Sequence, residues 1–284
     1  MFDSQAHGVS RREFLQAGAG AATGVCTGAF PAWAADQKND PYRGFKMGIQ
    51  SYTLREFKVQ EALEISKKLG LHYWESFPAH VPASSVPKNI EEQKAMLAAA
   101  NVKLIAYGVV GFNDNESKAR EMFDFAKKIG IESLSADPAK NEATFKLLDK
   151  LVEEYGINIA IHNHGPGASY DKIDDVVNAV KDHHPRIGAC VDTGHYLRSS
   201  ENPVEALERL KDRVFGVHLK DVKDAKIFKI LGEGDLDILG CLKVLEKTKY
   251  KYCLALEYEE NPKNPVPDLE ISLENVRKAM AKLG

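Results

Sequence analysis

From Lys46 onward the chain alternates between two apolar patterns. Short apolar runs of strand character sit near 46–52, 72–77, 103–110, 132–136, 157–162, 187–192, 214–219 and 252–257. Longer stretches with helical period lie between them, near 58–69, 89–100, 115–129, 141–155, 171–183, 203–211, 239–247 and 269–282. Asn89 before Ile90-Glu91-Glu92, Asp171 before a periodic run, and Asn202-Pro203 read as helix starts. Gly70, Gly130 and Gly156 stand where helix-ending glycines belong. Strict alternation of strand and helix implies parallel strands joined by crossover helices. Eight such pairs at this length favour a closed barrel over an open doubly wound sheet. The expected fold is therefore α/β, a single (β/α)8 TIM barrel over 46–284. No Gly-x-Gly-x-x-Gly follows the first run, which argues against a dinucleotide-binding fold.

The first 45 residues break this pattern. Ser10-Arg11-Arg12-Glu13-Phe14-Leu15 has a twin-arginine form, a stretch of Ala, Gly, Thr and Val runs from Ala17 to Phe30, and Ala32-Trp33-Ala34 ends it with small–any–small spacing. Charged start, apolar middle and small-residue end, in that order, make residues 1–34 a cleavable export signal of the twin-arginine type, and the expected destination periplasmic or exported. The apolar stretch is too short and too Gly-rich for a stable membrane span. Polar residues 35–45 read as a linker.

Composition narrows the partners. The chain has 284 residues, 44% hydrophobic and 28% charged, with a formal net charge of -3. Nucleic acid and anionic membrane surfaces select basic faces, so neither is an expected partner. Beyond Ala34 the cysteines are Cys190, Cys241 and Cys253, an odd number without short spacing. They read as buried thiols rather than a disulfide framework.

In a barrel of this kind the active site forms at the C-terminal ends of the strands. Those ends carry Trp74-Glu75, His162-Asn163-His164, Asp192-Thr193-Gly194-His195, His218-Leu219-Lys220-Asp221 and Glu257-Tyr258-Glu259. Strand alternation puts His162 with His164, His218 with Lys220, and Glu257 with Glu259 on shared faces. Neighbouring strands then gather His162, Asp192, His218 and Glu257 around one space. A lone strand-end His is more often a hydrogen-bonded core residue, and Asp192 before Thr193-Gly194 also reads as a turn or helix cap. As a set, however, four buried polar groups cost several kcal/mol each without a partner, and a cation removes that cost. The mixed N/O donors suit one divalent Mn, Co, Zn or Fe ion, with Mn favoured.

These residues carry a resemblance to the xylose-isomerase-like barrel superfamily of sugar isomerases and epimerases. The opening Met47-Gly48-Ile49-Gln50-Ser51-Tyr52-Thr53-Leu54-Arg55, the Asp192-Thr193-Gly194-His195 and His218-Leu219-Lys220-Asp221 strings, and Gly232-Glu233-Gly234-Asp235-Leu236-Asp237 all resemble that group. Ketose 3-epimerases, hydroxypyruvate isomerases and inosose dehydratases share the pattern. The resemblance implies metal ligands from strands 5 to 8. Asp192, His218 and Glu257 match the last three, but the strand-5 position is His162 where the epimerases have Glu. The Ile-His-Asn-His-Gly string resembles the His-rich strand 5 of the inosose dehydratases instead.

The leading expectation is a metal-dependent sugar isomerase or epimerase, with Glu257 deprotonating carbon next to a metal-chelated carbonyl of a small carbohydrate. His164, His195, Lys220 and Glu75 are candidates for the second acid. Tyr52, Glu75, His195 and Lys220 are expected to touch substrate. The alternatives are a lyase eliminating across a keto-sugar or 3-keto-glycoside, a non-catalytic sugar-binding barrel, and a nuclease on the same fold, which the charge and export signal oppose. Relatives by resemblance are often dimers or tetramers, and the sequence offers no interface signature to decide a homo-oligomer.

Overall fold

Each expected strand forms. In chain order they are β1 (Lys46–Gln50), β2 (Tyr73–Ser76), β3 (Lys103–Phe112), β4 (Ser133–Pro138), β5 (Asn158–His162), β6 (Ile187–Asp192) and β7 (Val214–Leu219), with the eighth barrel strand, β10 (Cys253–Leu256), closing against both β7 and β1. All barrel pairings are parallel. This is a computed structural model, and it describes residues 40–284. The expected export segment and residues 35–39 of the expected linker lie outside the described residues. Residues 40–45 do not run free: the Asp40 carboxylate accepts from the backbone N–H of Tyr42 and Gly44, and Tyr42 is buried in the core.

The helices are α1 (Val59–Lys68), α2 (Pro87–Ala99), α3 (Glu116–Ile129), α4 (Glu142–Tyr155), α5 (Ile173–Val180), α6 (Thr193–Arg198), α7 (Pro203–Leu210), α8 (Ile238–Lys247) and α9 (Val266–Met280). Gly130 and Gly156 close α3 and α4 at φ of 96° and 70°, a left-handed turn that glycine adopts without strain. The Asn202 side chain caps α7 by accepting from Val204 N at 2.9 Å. Two starts differ from expectation. α2 begins at Pro87, whose fixed φ suits a first helical position, while Asn89 bonds Ser84 Oγ. α5 begins after Lys172, because the Asp171 side chain is taken by Gly167 N and Ser199 Oγ. Two elements were not expected: α6, which starts directly at the end of β6, and an antiparallel hairpin of β8 (Asp221–Lys223) and β9 (Ile227–Lys229) beyond β7. Among the described residues no helix is long and apolar enough to cross a membrane. Cys190, Cys241 and Cys253 are free and buried.

Candidate metal-binding active site

Four strands deliver one cluster. His162 ends β5, Asp192 ends β6, His218 lies one residue from the end of β7, and Glu257 follows β10, its N–H still bonded to Leu219 O at 3.1 Å. Asp192 and His218 are register partners, so their inward side chains stand at one level. One ligand atom from each of the four residues lies within 4.8 Å of every other. His162 Nε2 is 3.1 Å from His218 Nδ1 and 3.4 Å from Asp192 Oδ2, and His218 Nδ1 is 2.9 Å from Glu257 Oε2.

The donor set fits a divalent cation. Relative exposure is 0% for Asp192, 1% for His218, 3% for His162 and 7% for Glu257, so water cannot satisfy these groups. Asp192 Oδ2 and Glu257 Oε2 are both buried and share the single ammonium group of Lys220. One ammonium shared among buried carboxylates leaves negative charge that a cation would offset. Asp192 Oδ1, by contrast, accepts from His195 N at 2.8 Å and caps α6, which fixes Oδ2 toward the cluster. Asn163 brackets the Asp192 backbone from both sides, accepting from its N–H at 2.8 Å and donating to its C=O at 3.0 Å.

Lys220 supplies the cluster's fixed positive charge. Its Nζ is 2.9 Å from Asp192 Oδ2, 3.1 Å from Glu257 Oε2 and 2.6 Å from Glu259 Oε1. Burial works against its charge, but Asp192, Glu257 and Glu259 outweigh burial and raise its pKa. Burial likewise opposes ionisation of Glu257, yet Lys220 and His218 pull its carboxyl down to about 2. His195 and His164 go the other way. Burial, helped by the neighbouring His162 and Lys220, lowers His195 to about 3 and His164 to about 4, so both are neutral imidazoles. The His164 ring lies 4.4 Å from that of His162, and His195 Nε2 is 3.4 Å from Lys220 Nζ. The shared faces expected for His162/His164, His218/Lys220 and Glu257/Glu259 are those observed.

Two of the residues expected to touch substrate stand apart from the four-residue cluster. Glu75 is fully buried, with Oε2 3.0 Å from His218 Nε2 and Oε1 accepting from Gln50 Nε2 at 3.0 Å. β2 is short, and Glu75 pairs in register with Gln50, which puts it behind His218 rather than at the mouth. Tyr52 sits on the rim, 39% exposed, edge-on to Phe77 with the Arg55 guanidinium over its ring.

Several residues at the site were not singled out by the sequence. Thr193 Oγ1 accepts from Lys220 N at 2.9 Å and donates to Lys220 O at 2.7 Å, clamping β7 to the start of α6. Phe228, on the hairpin, brings its ring near His195, Arg198 and Lys220. Asp221 explains why the Gly-rich string accompanies the His218 string: its two oxygens accept N–H groups of Val222, Gly232, Gly234 and Leu236. A Cβ at Gly234 would stand 2.2 Å from Asp221 Oδ1.

A closed parallel barrel with polar, titratable side chains buried together at its C-terminal mouth has the architecture of a (β/α)8-barrel enzyme. The chain belongs to the xylose isomerase-like TIM barrel family, which it matches over residues 63–279. It is similar to an inosose dehydratase of Clostridium perfringens, 25% identical over 231 residues that cover 73% of this chain and 75% of the relative. Among solved structures it resembles a protein of Parabacteroides distasonis, with 27% identity, a TM-score of 0.65, and coverage of 83% of this chain and 99% of that one. The fold also matches D-psicose 3-epimerase of Clostridium cellulolyticum (15% identity, TM-score 0.67, coverage 83% and 99%) and the IolI protein with a binding zinc atom (19%, 0.64, 84% and 97%).

Proposed function

We propose that the protein is a metal-dependent lyase that eliminates water or an alcohol across a keto-sugar or keto-cyclitol. His162, Asp192, His218 and Glu257 would hold one divalent ion, and Mn, Co, Zn and Fe suit that donor set. Such an ion would polarise a carbonyl and acidify the adjacent C–H.

The observation that carries the reading is the 3.1 Å approach of Lys220 Nζ to Glu257 Oε2, with His162 instead of a second carboxylate on β5. Base and acid thus stand side by side. Glu257 takes the proton from carbon next to the carbonyl; its low pKa makes it a weak base, so the step leans on the acidity of that carbon. The carbon–carbon double bond forms as the β-carbon–oxygen bond breaks, and the departing oxygen takes a proton from Lys220. The proton on Glu257 then returns to Lys220. Adjacent groups act on one face, which predicts syn elimination. The resemblance to an inosose dehydratase supports the same reaction class.

Isomerisation or epimerisation is the second reading. The neutral imidazoles of His164 and His195 favour it, because each can carry a proton to or from a different position. Metal-loaded protein incubated with inososes and 3-keto-glycosides in deuterated water separates the two. Elimination gives an enone and a product lighter by water or alcohol. A product of unchanged carbon skeleton and composition, with deuterium incorporated, would replace the lyase reading by the isomerase one.

A further inference from the structure

A second donor set lies along the barrel axis beneath the first. The Cys190 sulfur, one nitrogen of His162 and one nitrogen of His218 all lie within 4.8 Å of one another, and all three residues are buried. Cys190 is the register partner of His162 and points inward like Asp192, two residues further along β6. Its neighbour across β7 is Gly216, where a Cβ would stand 3.0 Å from the sulfur. The sulfur fits because β7 carries no side chain there.

We propose that His162, Cys190 and His218 form a nested site for soft divalent ions, Cd²⁺ and Zn²⁺, that excludes occupation of the carboxylate-containing site above it. The two sites share both imidazoles, so one ion displaces the other; for that exclusion the inference rests on the metal site of the proposed function. Thiolate selects soft ions, whereas carboxylate suits Mn²⁺. A tetrahedral centre with Zn–S near 2.3 Å and Zn–N near 2.1 Å keeps its donors about 3.5 Å apart, so the three atoms need only draw together slightly. The metal–sulfur bond forms as the thiol proton leaves to solvent, with no change of oxidation state. An ion seated there turns His162 and His218 away from Asp192 and Glu257, and Cd²⁺ therefore inhibits.

The test uses the full chain stripped of metal and titrated with cadmium chloride, following the ultraviolet thiolate-to-cadmium absorption. The expected result is a band that saturates at one equivalent, disappears in Cys190→Ser and persists in Asp192→Asn, a variant that loses Mn²⁺ binding. Cadmium NMR of the wild type provides a readout without substitution, since a sulfur ligand moves the resonance far downfield of an N/O site. No band in the wild type, or an equal band in Cys190→Ser arising from Cys241 or Cys253, overturns the proposal. Mn²⁺ binding is measured separately: its failure beside an intact cadmium band would remove the proposed function and the exclusion while leaving the thiolate site.

Discussion

Glu75 Oε2 and His218 Nε2 stand 3.0 Å apart at the centre of the barrel, a fully buried carboxylate–imidazole pair. Gln50 Nε2 donates to the other Glu75 oxygen, and His218 Nδ1 faces Asp192 and Glu257. The line from Gln50 through Glu75 and His218 ends at the cluster. Metal-binding imidazoles commonly present their second nitrogen to a carboxylate, which fixes ring orientation and tautomer. In the proposed metal site Glu75 would thus position His218. Glu75→Gln should weaken Mn²⁺ or Co²⁺ binding by about 10- to 100-fold in calorimetric titration and alter the visible spectrum of the Co²⁺ form. Affinity within twofold of wild type would dismiss that role.

Lys220 has two separable duties. In the metal-free protein it balances Asp192 and Glu257, so Lys220→Met leaves buried carboxylates unpaired, at a cost of about 3–5 kcal/mol. The melting temperature should fall, and bound metal should restore most of it. In the proposed elimination Lys220 is the acid. The variant should keep exchange of the carbon-bound proton with solvent but lose elimination by about 10²- to 10⁴-fold. Loss of both steps in equal measure would mean that Lys220 does not serve the second step alone.

Asp221 and Gly234 form one unit. Gly234→Ala places a methyl against Asp221 Oδ1, and overpacking of this sort costs about 1–3 kcal/mol. Asp221→Asn removes acceptor capacity from a side chain that holds four backbone N–H groups. Both variants should melt earlier than wild type and be cut faster by protease between 223 and 236. Equal protease resistance would show that the loop is ordered by other contacts.

His80 gives a pH signature away from the cluster. Burial lowers its pKa, its Nδ1 has no acceptor, and its ring packs on Trp74 and Phe77. The folded protein therefore binds fewer protons at His80 than the unfolded chain, whose histidines titrate near pH 6.5. That contribution is complete above about pH 6.5 and is lost as pH falls below it. Melting temperature should drop less between pH 7.5 and 5 in His80→Gln than in wild type. Equal slopes would remove His80 as a source of acid sensitivity.

For the N-terminal segment we propose twin-arginine export. Arg11→Lys with Arg12→Lys should hold the chain in the cytoplasm, as read by cell fractionation; unchanged export would sink the assignment.

The barrel was legible because the apolar runs of a parallel sheet and the periodic runs of its covering helices differ in length and period. The inward alternation at 162/164, 218/220 and 257/259 was legible for the same reason. Asp192 supported two readings, metal ligand and helix cap, and its two oxygens show how one side chain serves a cap through Oδ1 and faces the cluster through Oδ2. α6 escaped notice because it has no connecting loop to announce it. The hairpin escaped because strands of three residues carry too little pattern. The place of Glu75 was hidden because it depends on the register of β2 against β1 and on a partner from β7.

The junction between β6 and α6 has no spare residue: Asp192 closes one element and caps the next. An insertion there would part Asp192 Oδ1 from the His195 N–H it caps and free the carboxylate to turn from the cluster, so that turn is a poor place to add length. The excursion between β7 and α8 and the loop between β5 and α5 do have length to vary. Directed evolution for altered substrate choice belongs in those two segments, and libraries that randomise loop length at 192–193 should return only inactive clones.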